Sequence, residues 1–282
     1  MTDTFTIILN KNNVSNLNTN MEYTYNFSQG FIINDSSQLC LNSLSIPYSW
    51  YNISNYYGNN TFSYIYAGVT YNITIPNGYY DATGLQDYFQ QIQIQNNQYL
   101  INNTTGNYMY FINFIQNINT YSNQFYFYPV PSSIGNIPSG YSAPSGFVFS
   151  TDNSAPQIII NNTAFGSLIG YLPSTYPSIK QYTSCNVIGN TIPDLNPVSC
   201  LVIRCSLINN SIGSPSDILT SIPISGVYGN NLIFNPNYAN YVSLKSGEYQ
   251  AMIITITDQN FNLIYANDYN ICINLTLSQP KK

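Results

Sequence analysis

Apolar and polar residues alternate along much of the chain with the two-residue period of strands that have one face covered and one in water. In residues 21–28, MEYTYNFS, Tyr23, Tyr25 and Phe27 share one face while Thr24, Asn26 and Ser28 share the other. The same mode predicts strands at 37–46, 61–66, 70–75, 108–115, 124–128, 198–208, 231–234, 249–257, 261–265 and 269–277. One segment changes period: after the Pro-Asn-Gly turn at 76–78, Thr83 is placed to cap a helix with Gln86 reaching back to it, and Leu85, Phe89 and Ile92 recur at helical spacing. Its glutamine-rich remainder is expected to face solvent or a neighbour. Between residues 129 and 197 the pattern breaks up into Pro, Gly and Ser, which predicts a long irregular insertion with short strands at 147–149 and 157–160.

This pattern predicts an all-β chain: a single jelly roll, that is an antiparallel β-sandwich, with one short helix and long loop insertions. Its expected organisation is an N-terminal arm (1–20), one domain (21–277) interrupted by the insertion at about 129–197, and a C-terminal tail (278–282). With no alternation of strands and helices and no internal repeat, βαβ folds are excluded.

Composition narrows the function. Of 282 residues only 6% are charged, six basic against eleven acidic with no histidine, for a net charge of -5. Lys11, Lys180, Arg204 and Lys245 are scattered, and the Lys281–Lys282 pair reads as a solvated tail, so no basic patch is present to release counterions from a nucleic acid. Twenty-eight tyrosines suit interfaces that must also tolerate water, which points to an assembled protein. No apolar run approaches the length of a membrane span, and residues 1–10 lack the basic and apolar regions of a signal peptide. Five unevenly spaced cysteines are expected as free, mostly buried thiols in a reducing compartment.

Candidate chemistry is sparse. The absence of histidine removes the usual general base, the Ser-His-Asp and Cys-His pairs, and the commonest metal ligand. Asp81 with Asp87, and Asp258 with Asp268, have no forced convergence and sit where caps and turns want aspartate. TDQN (257–260) and ANDYN (266–270) hold hard oxygen ligands but lack the alternation of a calcium loop, and no glycine-rich phosphate loop occurs. No catalytic, cofactor-binding or metal residue is therefore assigned.

The stretch PVSCLVIRCSLINNSIGSPSDILTSIPI (197–224) holds the chain's single arginine between two cysteines. On a regular strand Cys200 and Cys205, five apart, face opposite ways and cannot share a metal or form a strand-local disulfide. Cys205 reads as a small core residue, and an approach of Cys185 to Cys200 through the intervening loop stays open. Arg204 presents donors that demand a carboxylate or loop carbonyls, within the sheet or across a subunit contact. After it, Ser214 as cap, Pro215 at the first position and Asp217 at the third predict one helical turn. Arg204, Asp217 and Trp50, a core or interface residue, are the candidate structural or interface clamp.

In FGSLIGYLPSTYP (165–177), PVSCLVIRCSLINN with PSDILTSIPI, and NPNYANYVSLKSGEYQAMIITITDQNFNLIYANDYNICINLTL (235–277), the chain resembles the minor capsid, or penton, proteins of virophages and polinton-like viruses. LNSLSIPYSWYNI and FSYIYAGVTYNITIPNGYY extend the resemblance over most of 37–277. It implies a jelly roll that forms homopentamers, made in the host cytoplasm and built into the virion at the fivefold vertices of an icosahedral shell. The partner it implies is a larger double-jelly-roll major capsid protein; it brings no cofactor and no catalytic residue. Three other readings are a different capsid or cement protein, a carbohydrate-binding β-sandwich on the virion surface using Tyr and Trp50, and a glycosidase. The last requires two carboxylates converging to about 5 to 10 Å.

Overall fold

The computed structural model describes residues 2–15 and 21–281. The chain opens with β1 (Thr2–Asn10), β2 (Glu22–Ile33) and β3 (Gln38–Pro47). There follow β4 (Thr61–Tyr66), β5 (Val69–Thr74), α1 (Ala82–Gln95), β6 (Tyr99–Asn102), β7 (Tyr108–Tyr110), β8 (Ile112–Asn117) and β9 (Ser122–Phe127). Next come β10 (Tyr141–Ser142), β11 (Gln157–Ile160), α2 (Thr163–Ile169), β12 (Ser174–Tyr176) and β13 (Cys185–Ile188). The chain closes with β14 (Cys200–Cys205), β15 (Ile218–Pro223), β16 (Asn231–Phe234), β17 (Val242–Ser243), β18 (Gly247–Thr257) and β19 (Cys272–Pro280). These fall into two units, Met1–Trp50 with Val198–Lys282, and Tyr51–Pro197.

In the first unit the pairing is nested. β1 pairs with β19, β2 with β18, β3 with β16 and β14 with β15, every pair antiparallel. The first strand thus meets the last, the second the last but one, and so inward, as in one long hairpin ribbon. Pairing of β19 with β3 and of β14 with β18 folds that ribbon over into two sheets, β1-β19-β3-β16 and β15-β14-β18-β2. A folded-over ribbon of eight principal strands is a jelly roll. Alternation supplies its inner faces: Leu39, Leu41, Ile273, Leu275 and Leu277 from one sheet, and Leu201, Ile203, Cys205, Met252, Ile254 and Ile256 from the other, are all buried.

Of the N-terminal arm expected over 1–20, Thr2–Asn10 is instead an edge strand, in register with β19 from Thr2 opposite Pro280 to Asn10 opposite Cys272, and residues 1 and 16–20 lie outside the described residues. TDTFTIILN buries Ile7 and Leu9 by simple alternation, and the same pairing takes residues 278–280 of the expected tail into the sheet. Lys282 lies outside the described residues. Residues 261–265 form no strand, because Asp258 captures the chain: its Oδ1 accepts from the backbone N–H of Asn260 and of Asn262, both at 2.8 Å.

The insertion between β3 and β14 is larger than the Pro/Gly/Ser signal suggests, since the second unit begins at Tyr51 rather than near residue 129. It is a folded body with its own core and three sheets, β12-β11-β4-β5, β13-β9-β8 and β10-β6-β7. Asn52 ties its two ends: its Nδ2 donates to Tyr80 O (2.7 Å) and Leu195 O (2.8 Å), and its Oδ1 accepts from Tyr80 N (2.8 Å). α1 is capped by Asp81, whose carboxylate accepts from Gly84 N at 2.7 Å, and not by Thr83; Leu85 N already bonds Asp81 O, so the first turn starts two residues earlier than expected. Leu85, Phe89 and Ile92 are buried as their spacing predicts.

A second helix, α2, corrects the expectation of one. Asn162 caps it by accepting from Ala164 N (3.0 Å) and Phe165 N (3.2 Å), and Gly170 ends it in the left-handed conformation at φ 86°. A Cβ at Gly170 would lie 2.8 Å from Thr191 O, so the stop needs glycine on steric grounds as well. With seven residues α2 is too short for a helical period to stand out. Residues 147–149 are not a strand, although Phe147 is buried.

Candidate functional site

β14 places its side chains by parity, as expected: Leu201, Ile203 and Cys205 are buried, whereas Cys200 and Arg204 are half-exposed on the other face. All five cysteines are free. Burial pushes the Cys205 thiol up to about 11, and burial also raises Cys40 and Cys185, so these are packing residues rather than nucleophiles.

Arg204 grips Asp217 with both arms of its fork: Nε donates to Oδ1 at 3.0 Å and Nη2 to Oδ2 at 2.9 Å. The register explains how a residue thirteen positions away arrives there. β14 and β15 run opposite each other until Ile203/Thr220, then resume at Arg204/Ile218, leaving Leu219 as a bulge. Asp217 O meanwhile accepts from Cys205 N at 2.8 Å and Ser216 O from Asn210 N at 2.9 Å. Those two carbonyls are spent on the β14 side of the hairpin, so residues 214–217 do not form the expected helical turn; the segment is bends and turn, with a cis Ser214–Pro215 bond. Both clamp side chains retain 26% exposure. The pair therefore fastens the β14–β15 connection within one chain, with an open side toward solvent.

Trp50 is not beside this pair. It is 2% exposed, its ring centroid 4.4 Å from that of Tyr48, and its backbone bridges Ala266. A ring so covered offers no platform for a sugar. The structure thus brings Arg204 and Asp217 together and leaves Trp50 in the packing of the first unit.

Three of the four aspartates weighed for catalysis are used locally. Asp81 caps α1, Asp258 holds its own turn, and Asp268 Oδ1 accepts from Asn270 N at 2.9 Å. Among the described residues no three His, Cys, Asp or Glu side chains gather to hold a metal, and no helix is long and apolar enough to cross a membrane. In the second unit Lys180 meets Asp152 at 2.8 Å; that hydrogen bond, with those from Ser154 and Ser150, holds the Asp152 carboxyl well below the usual carboxylate range.

Sequence reasoning missed an open aromatic groove. β1 and β2 are edge strands of the two jelly-roll sheets, and between them Phe5, Phe27, Phe31 and Tyr25 line an open groove of about 340 Å³. Phe5 packs edge-on against Phe31 (5.3 Å, 82°), which stacks on Phe27 (5.2 Å). Phe27 and Tyr25 were legible as one face of β2, but only pairing β1 into the sheet shows what they meet.

The chain is similar in structure to two virophage chains. One is the penton protein of mavirus, with 10% identity, a TM-score of 0.44, and 99% of this chain and 98% of that one covered. The other belongs to the Sputnik virophage particle, with 13% identity, a TM-score of 0.40, and 99% and 97% covered. No protein-family model matches the sequence, and no curated protein matches it.

Proposed function

We propose that the chain is a structural capsid subunit, the penton or minor capsid protein that closes as a homopentamer at the fivefold vertices of an icosahedral virion. On this reading it is made in the host cytoplasm and seats against a larger double-jelly-roll major capsid protein. The observation that carries the reading is the state of the jelly roll's edges. Monomeric sandwiches blunt their edge strands with charge. Here β15 and β16 carry no charged residue, β1 carries only Asp3 and β2 only Glu22, while Ile233 on β16 is 69% exposed. Val227 and Tyr238, on either side of β16, are 71% and 89% exposed. Low charge also removes repulsion between packed copies, and the residue-level resemblance to virophage pentons agrees with such a role.

Light scattering of the purified chain tests it. The expected particle has five times the 31.7 kDa chain mass, and Ile233→Lys dissociates it without loss of β-sheet circular dichroism. A monomer that persists at high concentration overturns the capsid reading, whereas a different closed ring overturns only the fivefold assignment and favours another shell or cement position.

A further inference from the structure

α1 turns Leu85, Phe89 and Ile92 into the core of the second unit and shows Asp87, Gln91 and Gln95, one turn apart, to solvent. Among the described residues none of these three side chains makes an intramolecular hydrogen bond. With Pro76, Tyr80, Gly84 and Tyr88 they line an open groove of about 330 Å³. The two rings stand 6.0 Å apart and nearly perpendicular, each tethered by its hydroxyl: Tyr80 donates to Pro76 O (3.0 Å) and Tyr88 to Thr74 O (3.3 Å). Tethering leaves the rings as fixed walls rather than mobile tips.

Fixed aromatic walls beside primary amides and one carboxylate are the complement of a sugar ring, which has an apolar C–H face and a rim of hydroxyls that both donate and accept. Charge selects among sugars. The only Lys or Arg in the second unit is Lys180, and it is engaged with Asp152. No cation is left to neutralise a sialylated, sulfated or phosphorylated ligand. A cationic guest would use the rings and Asp87 but neither glutamine, and the groove falls in the size range of small-molecule sites, above roughly 300 Å³. We propose that this groove binds a neutral oligosaccharide, with Tyr80 and Tyr88 against one sugar and Asp87, Gln91 and Gln95 on its hydroxyls.

This proposal is independent of the capsid reading, since it needs only the second unit's surface. The full chain is screened on an array of neutral and anionic oligosaccharides and the hits are titrated calorimetrically. Neutral oligosaccharides are expected to bind with little dependence on salt. The double variant Gln91→Ala/Gln95→Ala, both on the exposed face, is expected to weaken binding about tenfold through the loss of two hydrogen bonds, with unchanged circular dichroism. A blank array, binding confined to anionic glycans, wild-type affinity in the double variant, or tight binding of tetramethylammonium in the groove would each overturn it.

Discussion

The two units bury different chemistry. Among the described residues the jelly roll's core contains no phenylalanine: it is Leu, Ile, Val and Met with Cys40, Cys205, Ala266, Tyr23, Tyr48 and Trp50. The insertion's core is built on Phe62, Phe89, Phe111, Phe114, Phe125, Phe127 and Phe165. Buried amides divide the same way. Asn52, Asn59, Asn60, Gln93, Gln98, Asn123, Gln124 and Gln157 all belong to the insertion. The cause is backbone regularity. In the nested ribbon, strand pairing satisfies the buried N–H and C=O groups, so side chains need only fill the space between two sheets. In the insertion, short strands, turns and two helices leave backbone groups for side-chain amides to satisfy, and large rings fill irregular gaps.

The sharpest way to break this contrast uses the single tryptophan, which lies buried in the jelly roll and reports on that unit. Phe89 contacts Phe62, Phe114 and Phe125 with centroids 5.1 to 5.5 Å apart. Phe89→Ala is expected to cost about 3–5 kcal/mol through the cavity it leaves. Followed in urea, far-ultraviolet circular dichroism should then show an early transition while Trp50 fluorescence keeps its wild-type midpoint. Equal shifts in both signals would mean that the two cores unfold as one.

The same contrast explains what the sequence disclosed. Alternation is the signal of a covered sheet, so β2, β3, β14, β16, β18 and β19 were all legible from their residues, and parity correctly separated Cys200 from Cys205. β1 was overlooked because an isolated edge segment resembles an arm until its partner is known. Within the insertion β4, β5, β8, β9 and the core face of α1 are legible from their periods as well, and only the stretch 129–197 reads as loop, because the Pro, Gly and Ser dense there punctuate loops elsewhere. The clamp was half legible. Arg204 had to find a carboxylate, but the bulge at Leu219 that brings Asp217 to it has no signature in ILTSIP.

Gln93 sharpens the point about amides. Its Oε1 accepts from Phe111 N (2.9 Å) and Ile112 N (3.0 Å), and its Nε2 donates to Ile112 O (2.7 Å) and Phe89 O (3.0 Å). The glutamine-rich half of α1 was expected to face outward, and this residue is the exception, sewing α1 to β8. Gln93→Leu keeps the volume but orphans those backbone groups, so a loss of about 2–4 kcal/mol is expected, at roughly 1–3 kcal/mol per unsatisfied buried group. Gln91→Leu, two residues earlier on the exposed face, should change stability by less than about 0.5 kcal/mol. Comparable losses for the two would mean that helix propensity, not backbone satisfaction, sets the cost.

Arg204 and Asp217 supply the smallest effect and test the jelly roll, where side chains are rarely asked to hold backbone in place. The pair is bidentate yet a quarter exposed, so solvent screens it, and a coupling of about 1 kcal/mol is expected from a double-mutant cycle with Arg204→Met and Asp217→Asn, read by Trp50 fluorescence. Arg204→Lys should keep the charge but lose about half of that coupling, because an ammonium cannot match both carboxylate oxygens at once. The carboxylate also sits at the end of the β14–β15 connection, so its loss should loosen the segment 210–217 before it destabilises the sheet. Hydrogen exchange at Asn210 N and Cys205 N, which bond Ser216 O and Asp217 O, separates these levels. Faster exchange at Asn210 with protection retained at Cys205 places the clamp on the connection; equal loss at both places it on the strand pairing itself; and no change at either would mean that the backbone bonds alone hold the hairpin.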